Sequence, residues 1–205
     1  VNAGFDYQIG GAYTPPSGVK VVSRDREAKP AAGLYSICYV NAFQTQPHRL
    51  RWWQVHHPAL LLRSRTGQLV LDQTWGEVIS DISTAVKRRA LAKIVGQWFA
   101  GCARSGFSGI EPDNLDSWTR SRGRLQRADA VAFARLLTAR AHRLRLLIGQ
   151  KNAAGLASLG PSLGFEFAVT EGCEVYRECD RYTDAYESRV IEIEYDDVPH
   201  ADRVF

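Results

Sequence analysis

The chain has 205 residues, 45% hydrophobic and 23% charged, enough apolar material for one domain spanning residues 1–205 and unlike disordered or fibrous compositions. No run approaches the ~18 consecutive apolar residues that a membrane-spanning helix needs. The formal charge of +4 is unevenly spread: residues 120–145 hold eight arginines against Asp129 alone, whereas 166–202 hold twelve acids against three arginines.

Seven short apolar runs read as buried strands, each closing on polar residues. "FDYQIGG" (5–11), "VKVVSRD" (19–25) and "YSICYVNAF" (35–43) come first. The segment 44–83 is rich in Trp, His and Pro, has no clean period, and reads as a long functional loop over one end. A helix is expected at 84–101, with Val86, Leu91, Ile94, Val95 and Trp98 as its apolar positions. "FSGIEPDN" (107–114) is the next strand. It precedes a helix at 127–144 whose apolar stripe is Val131, Ala134, Thr138, Ala141 and Leu144. Arg135, Arg140 and Arg143 fall on the opposite side, and Asp129 suits the positive end of the helix dipole. "RLLIGQKN" (145–152), "FEFAVTE" (165–171) and "RVIEIEY" (189–195) complete the set. Near-continuous apolar strands alternating with helices predict an α/β fold with a parallel sheet covered on both faces.

In such folds the working groups collect at the carboxyl ends of the strands. Those ends here offer Asp25, Asn41, Asp113, Lys151, Glu171 and Glu194. Residues two apart on a strand share a face, so Glu111 and Asp113 of "GIEPDN" point together while Ile110 points away. Glu111 then lies one layer deeper and needs a cation, and Lys151 on the next strand is the obvious one. Asp116 reads as the cap of the turn that follows. Two carboxylates flanking a cleft are the equipment of glycoside hydrolysis, one ionised and the other holding a proton at a pKa raised by a dry site. Four cysteines permit three pairings if all are oxidised. Cys173 and Cys179 suit a small surface disulfide, and buried free thiols are the other reading. No cysteine spacing is C-x-x-C and the histidines, including His56 and His57, are scattered, so no metal or cofactor is expected.

The motifs "DYQIGGAY", "ICYVNAFQTQP", "GIEPDNLDSW", "IGQKN", "FAVTEGCEVYREC" and "IEY" occur in that order. Together they resemble the endo-α-1,4-polygalactosaminidase family, glycoside hydrolase family 114, from about Phe5 to Tyr195. The resemblance implies a (β/α)8 TIM-type barrel, secretion, and cleavage of α-1,4-linked galactosamine polymers of microbial exopolysaccharides. It also implies Asp113 as nucleophile and Glu171 as acid/base in a retaining mechanism. The substrate-binding set read from the strand ends and the matched motifs is Tyr7, Asp25, Tyr39, Asn41, Asn114, Lys151, Glu194 and Tyr195, with Asp6 and Trp75 as further candidates. A cationic polysaccharide is the expected partner, since an unacetylated amino sugar carries an ammonium that an acidic cleft attracts.

Two departures from the family pattern stand out. Seven strand candidates are visible where a closed barrel has eight, so the barrel is expected to be incomplete at its C-terminus, where the chain turns to "DDVPHADRVF". Gly172 replaces a bulkier polar residue beside Glu171. The chain begins at Val1 and contains no methionine, so its natural start is expected to be missing, through a removed leader, an alternative start codon or a fragment. A catalytically inactive carbohydrate-binding relic is the alternative reading. It is separated from the enzyme by whether Asp113 and Glu171 converge while Lys151 and Tyr39 face the same cleft. Nucleic-acid binding through residues 120–145 is disfavoured because those arginines flank an amphipathic helix and read as its solvated face.

Overall fold

The structure is a computed structural model that describes residues 3–199. Residues 200–205, the end of the "DDVPHADRVF" segment, and residues 1–2 lie outside the described residues. The strands in chain order are β1 (Gly4–Gln8), β2 (Val19–Asp25), β3 (Tyr35–Asn41), β4 (Gln44–Thr45), β5 (Leu71–Asp72), β6 (Glu77–Ile79), β7 (Gly109–Asp113), β8 (Leu147–Lys151), β9 (Phe167–Glu171) and β10 (Val190–Ile193). The α-helices are α1 (Leu50–His56), α2 (Ala85–Ser105), α3 (Arg127–Arg143), α4 (Gly160–Leu163) and α5 (Cys179–Tyr186).

Seven strands pair in parallel in the order β1-β2-β3-β7-β8-β9-β10 and curl into a nearly closed barrel with helices between them. Among the described residues no strand joins β1 to β10, so both remain edges, as the count of seven predicts. Alternation along each strand divides the interior from the helical shell. Cys38, Val40, Ile110, Ile148 and Ala168 face outward and are fully buried against Leu91, Val95 and Phe99 of α2 and Phe133 and Leu137 of α3. Ile37, Phe167 and Val169 face inward, with Phe5, Val21, Ile191 and Ile193 around them. Burial on both faces is why the strands read as unbroken apolar runs.

Both long helices form where predicted, and part of each predicted stripe faces inward: Leu91 and Val95 of α2 and Ala134, Thr138 and Ala141 of α3 are buried. α2 starts at Thr84, whose side chain caps Lys87 N, and ends at Gly106, whose φ of 93° closes the last turn. Its buried positions include Leu91, Val95, Phe99 and Cys102, whereas Val86 is 69% exposed because it sits in the first turn, before the helix reaches the barrel. α3 opens with a capping box between Gln126 and Asp129, and Asp129 also pairs with Arg88 at 2.8 Å. Phe133 and Leu137 are its deepest large residues, while Val131 and Leu144 are only half-buried. The helix packs against both the barrel and α2, which widens the buried arc beyond the predicted stripe.

The segment 44–83 is not a loop. β4, β6 and β5 make a three-stranded antiparallel sheet, and Leu61, Leu62, Val70, Val78, Ile79 and Ile82 pack it into the same core as α2. Strands of two or three residues are too short to show a period in sequence. All four cysteines are paired, which removes the free-thiol reading: Cys38–Cys102 ties β3 to α2, and Cys173–Cys179 closes the turn after β9. The second pair is not a surface disulfide, because Cys173 is 2% exposed and Cys179, the first residue of α5, 8%.

Candidate active site

Pairing in register delivers the strand tips to one rim. Asn41 of β3 stands opposite Asp113 of β7, and Tyr39 opposite Glu111 one layer down. Lys151 ends β8 and Glu171 ends β9. Lys151 is 1% exposed and its ammonium lies 3.0 Å from Glu111 Oε1, 3.1 Å from Glu171 Oε2 and 3.7 Å from Asp113 Oδ1. The expected Glu111–Lys151 contact is therefore present, and the same cation touches both candidate catalytic acids.

The layer beneath the cleft is closed on itself. Glu111 is fully buried and accepts from Tyr7 Oη (2.7 Å) and Ser23 Oγ (2.6 Å), while Tyr7 Oη accepts from Lys151 Nζ (2.8 Å). A buried carboxylate satisfied in this way by a cation and two hydroxyls escapes the penalty of an unpaired charge. Burial pushes the Tyr7 hydroxyl far above its ordinary pKa, aided by the charges of Glu111, Glu171 and Asp113, so it stays protonated. Burial works against the Lys151 ammonium, but Asp113, Glu111 and Glu171 outweigh it and hold its pKa well above the lysine range.

Above this layer, Tyr39 Oη donates to Asp113 Oδ2 (2.7 Å), and the Asn114 backbone N–H donates to Asp113 Oδ1 (2.7 Å). Glu171 accepts from Tyr195 Oη (2.8 Å) and Asn152 Nδ2 (3.0 Å). Its burial raises its pKa, but the Lys151 charge and the hydrogen bonds from Asn152, Tyr195 and Lys151 win, so the carboxyl sits below the usual range. The raised pKa expected of an acid at Glu171 is thus absent, and the neighbouring ammonium is the reason. Gly172 follows with φ of 70°, and a Cβ there would meet the Tyr176 ring at 3.1 Å. The departure from a bulkier residue reflects this left-handed turn, from which Gly172 N donates to Ile193 O (2.8 Å).

The cleft over these groups has a volume of about 340 Å³, at the lower end of the size range of ligand sites. It is lined by five acids, Asp72, Glu77, Asp113, Asp116 and Glu171, against two cations, Arg120 and Lys151, so its field is negative. Arg120 is committed to Asp72 and, at 2.8 Å, to Asp116. Asp116 occupies the cap position of the short turn after β7, but its side chain holds Arg120 instead of capping a backbone N–H, which corrects the sequence reading. Burial lifts the Glu77 carboxyl to about 7, although Asn41 Nδ2 donates to it at 2.7 Å.

The structure thus brings together Tyr39, Asp113, Asn114, Lys151 and Glu171 around the cleft, with Tyr195 on the outer oxygen of Glu171 and Trp75, 67% exposed, on the wall. Tyr7 lies below and braces Lys151 and Glu111, so it does not line the cleft. Asn41 faces Glu77 and a neighbouring pocket. Asp25 and Glu194 are not brought to the cleft. Asp25 accepts from Glu27 N (2.8 Å) in its own turn and from Gln46 Nε2 (3.2 Å), and Glu194 accepts from Glu174 N (2.9 Å) of the segment after β9, so both carboxylates are claimed elsewhere. Asp6 is likewise held by Gln8 and Tyr13. Sequence reasoning missed Asp72, Glu77, Arg120 and Asn152. The signal for the first two was present in "LDQTWGEV", a hairpin whose Gly76 has φ of 67° and which sets Asp72 directly opposite Glu77.

The sequence matches the glycoside-hydrolase family GH114 across residues 1–204. The chain belongs to that family. This GH114 chain is accordingly a glycoside hydrolase. No curated protein matches its sequence. Among solved structures it is similar to Aspergillus fumigatus Ega3, described in complex with galactosamine, at a TM-score of 0.76 and 24% identity, covering 94% of this chain and 77% of that one. It is also similar to the glycoside hydrolase domain of PelA from Pseudomonas aeruginosa at a TM-score of 0.53 and 17% identity, covering 82% of this chain and 65% of that one. At these identities the likeness establishes the barrel, and the GH114 chain spans about two thirds to three quarters of those neighbours.

Proposed function

We propose that the chain is an endo-acting hydrolase of α-1,4-linked galactosamine polymers that works by a retaining, two-carboxylate mechanism. The observation that carries this reading is the single buried ammonium of Lys151 in contact with both Asp113 and Glu171 at the rim of an acidic cleft. Membership of GH114 and the fold shared with a galactosamine-bound structure support the substrate class. Two disulfides, one of them across the core, support a site of action outside the reducing cytoplasm.

In this mechanism Asp113 attacks the anomeric carbon. Tyr39 and the Asn114 N–H orient its carboxylate, and the Lys151 ammonium lies 3.7 Å from its Oδ1. Glu171 delivers its proton to the leaving glycosidic oxygen as the bond to that oxygen breaks. Water then hydrolyses the glycosyl–Asp113 ester, with Glu171 accepting its proton. Because Lys151 holds Glu171 below the usual carboxyl range, the proton-bearing form is favoured on the acid side of neutrality. The sugar ammonium has Glu77 beside Asp113 as a counter-charge, and its arrival favours ionisation of that raised carboxyl.

The test is reducing-end release from de-N-acetylated poly-α-1,4-galactosamine by the parent chain, Asp113→Asn and Glu171→Gln, with circular dichroism to verify folding. The expected loss is at least about 100-fold in kcat for each variant. A folded parent that releases nothing would replace this reading with the inactive carbohydrate-binding barrel.

A further inference from the structure

A second, smaller pocket of about 120 Å³ shares a wall with the cleft. Asn41 is that wall: its amide donates to Glu77 Oε2 and its Oδ1 accepts from Asn114 Nδ2 (3.1 Å), both cleft residues, while Asn41 itself lines the second pocket. Gln44 links the two as well. It lines the second pocket, its Nε2 donates to Asp72 Oδ2 (3.0 Å), and its Oε1 is buried with no hydrogen-bond partner.

The chemistry of the two spaces is opposite. The cleft has five acids, whereas no carboxylate among the described residues lines the second pocket. Trp52, Trp53 and Trp98 supply aromatic wall, and Arg26 lies over the Trp98 ring at 4.6 Å. Glu27 bridges Arg26 (3.0 Å) and Arg49 from outside the lining, and Gln46 reaches Asp25. An ammonium entering here meets two guanidinium groups, which disfavours it. An anion would have to compete with Glu27, which bridges both guanidinium groups. A neutral ring with one apolar face and several hydroxyl or amide groups suits the aromatic wall and the half-buried side-chain amide of Gln46.

We propose that this pocket is a subsite for a neutral, N-acetylated hexosamine unit of the same polymer, adjoining the acidic cleft that takes the cationic unit. The proposal rests on the reading of the cleft as an amino-sugar site, since N-acetylation is what turns a cationic amino sugar neutral. The acetamido methyl group has tryptophan to pack against. The enzyme then selects partly acetylated stretches, one unit read by charge and its neighbour by absence of charge.

The experiment has two arms. Tryptophan fluorescence is followed while N-acetylgalactosamine is titrated into the parent, Trp52→Ala and Gln46→Ala. Trp52 is 38% exposed and Gln46 half-buried, so neither change opens the core, and Gln46→Ala keeps every tryptophan. Separately, kcat/KM is compared on partly acetylated and fully de-N-acetylated oligomers. Saturable quenching in the parent, weakened at least fivefold in both variants, is expected. So is a fall of at least tenfold in the variants' preference for partly acetylated oligomers. Absence of saturable quenching, or variants that bind and discriminate as the parent does, would overturn the subsite. The titration needs no turnover, so a parent that binds N-acetylgalactosamine but cleaves no oligomer refutes the hydrolase reading and leaves the subsite standing.

Discussion

Val21, Ile37 and Val169 line the floor of the barrel, and two residues further along the same strands come Ser23, Tyr39 and Glu171. A step of two keeps a side chain on the same face and raises it by roughly 6–7 Å, so the two layers share orientation and differ only in height. The floor is apolar and keeps water from reaching the charged layer from below. That layer must therefore satisfy its charges from within, which is why Glu111, Lys151, Tyr7 and Ser23 close on one another. The lesson is that the apolar floor and the charged rim are one device, in which the floor makes the electrostatics above it strong.

The comparison breaks most severely at its cation. Lys151→Met leaves Glu111 buried and uncompensated and is expected to cost about 3–5 kcal/mol, read from the urea midpoint. Adding Glu111→Leu removes the stranded charge and should recover at least half of that loss. A double variant no more stable than the single one would mean that the hydrogen bonds of Tyr7 and Ser23 hold the layer instead of the ion pair.

Ile37→Val tests the floor alone. It removes one methylene from a side chain that is 1% exposed and is expected to cost about 1 kcal/mol, with the pH profile of kcat/KM unmoved. A displaced profile would show that the packing below sets the titration above.

Tyr195→Phe makes the smallest change and sharpens the role of Glu171. It deletes a hydrogen bond that favours the ionised carboxylate, so the Glu171 pKa rises and more of the group is protonated at any given pH. If Glu171 donates the proton, activity persists to higher pH and the basic limb of kcat/KM moves up. If it is the ionised partner, the acid limb moves up instead. A profile with neither limb displaced would remove Glu171 from the reaction.

How much of this was legible depends on the residue. Asp113, Glu171 and Lys151 could be found because each ends a recognisable strand, and parallel pairing must bring such ends to one rim. Asp25 and Glu194 end strands too, yet neighbouring backbone N–H groups capture their carboxylates, and strand position alone cannot reveal that. Asp72 and Glu77 were missed because strands of two or three residues lack the periodicity that marks a strand. The Cys38–Cys102 pair was equally out of view, because its sequence separation of 64 is bridged only when α2 packs on β3.

The sequence by itself determined the seven strand segments, the long helices and the common face of Glu111 and Asp113, because local periodicity and the period-two face rule operate within a few residues. The tertiary structure alone decided which polar tips meet, how far each carboxyl titrates, and that two pockets of opposite character share the wall at Asn41. Those properties depend on burial and on charges brought from distant segments, and neither exists until the chain has closed around them.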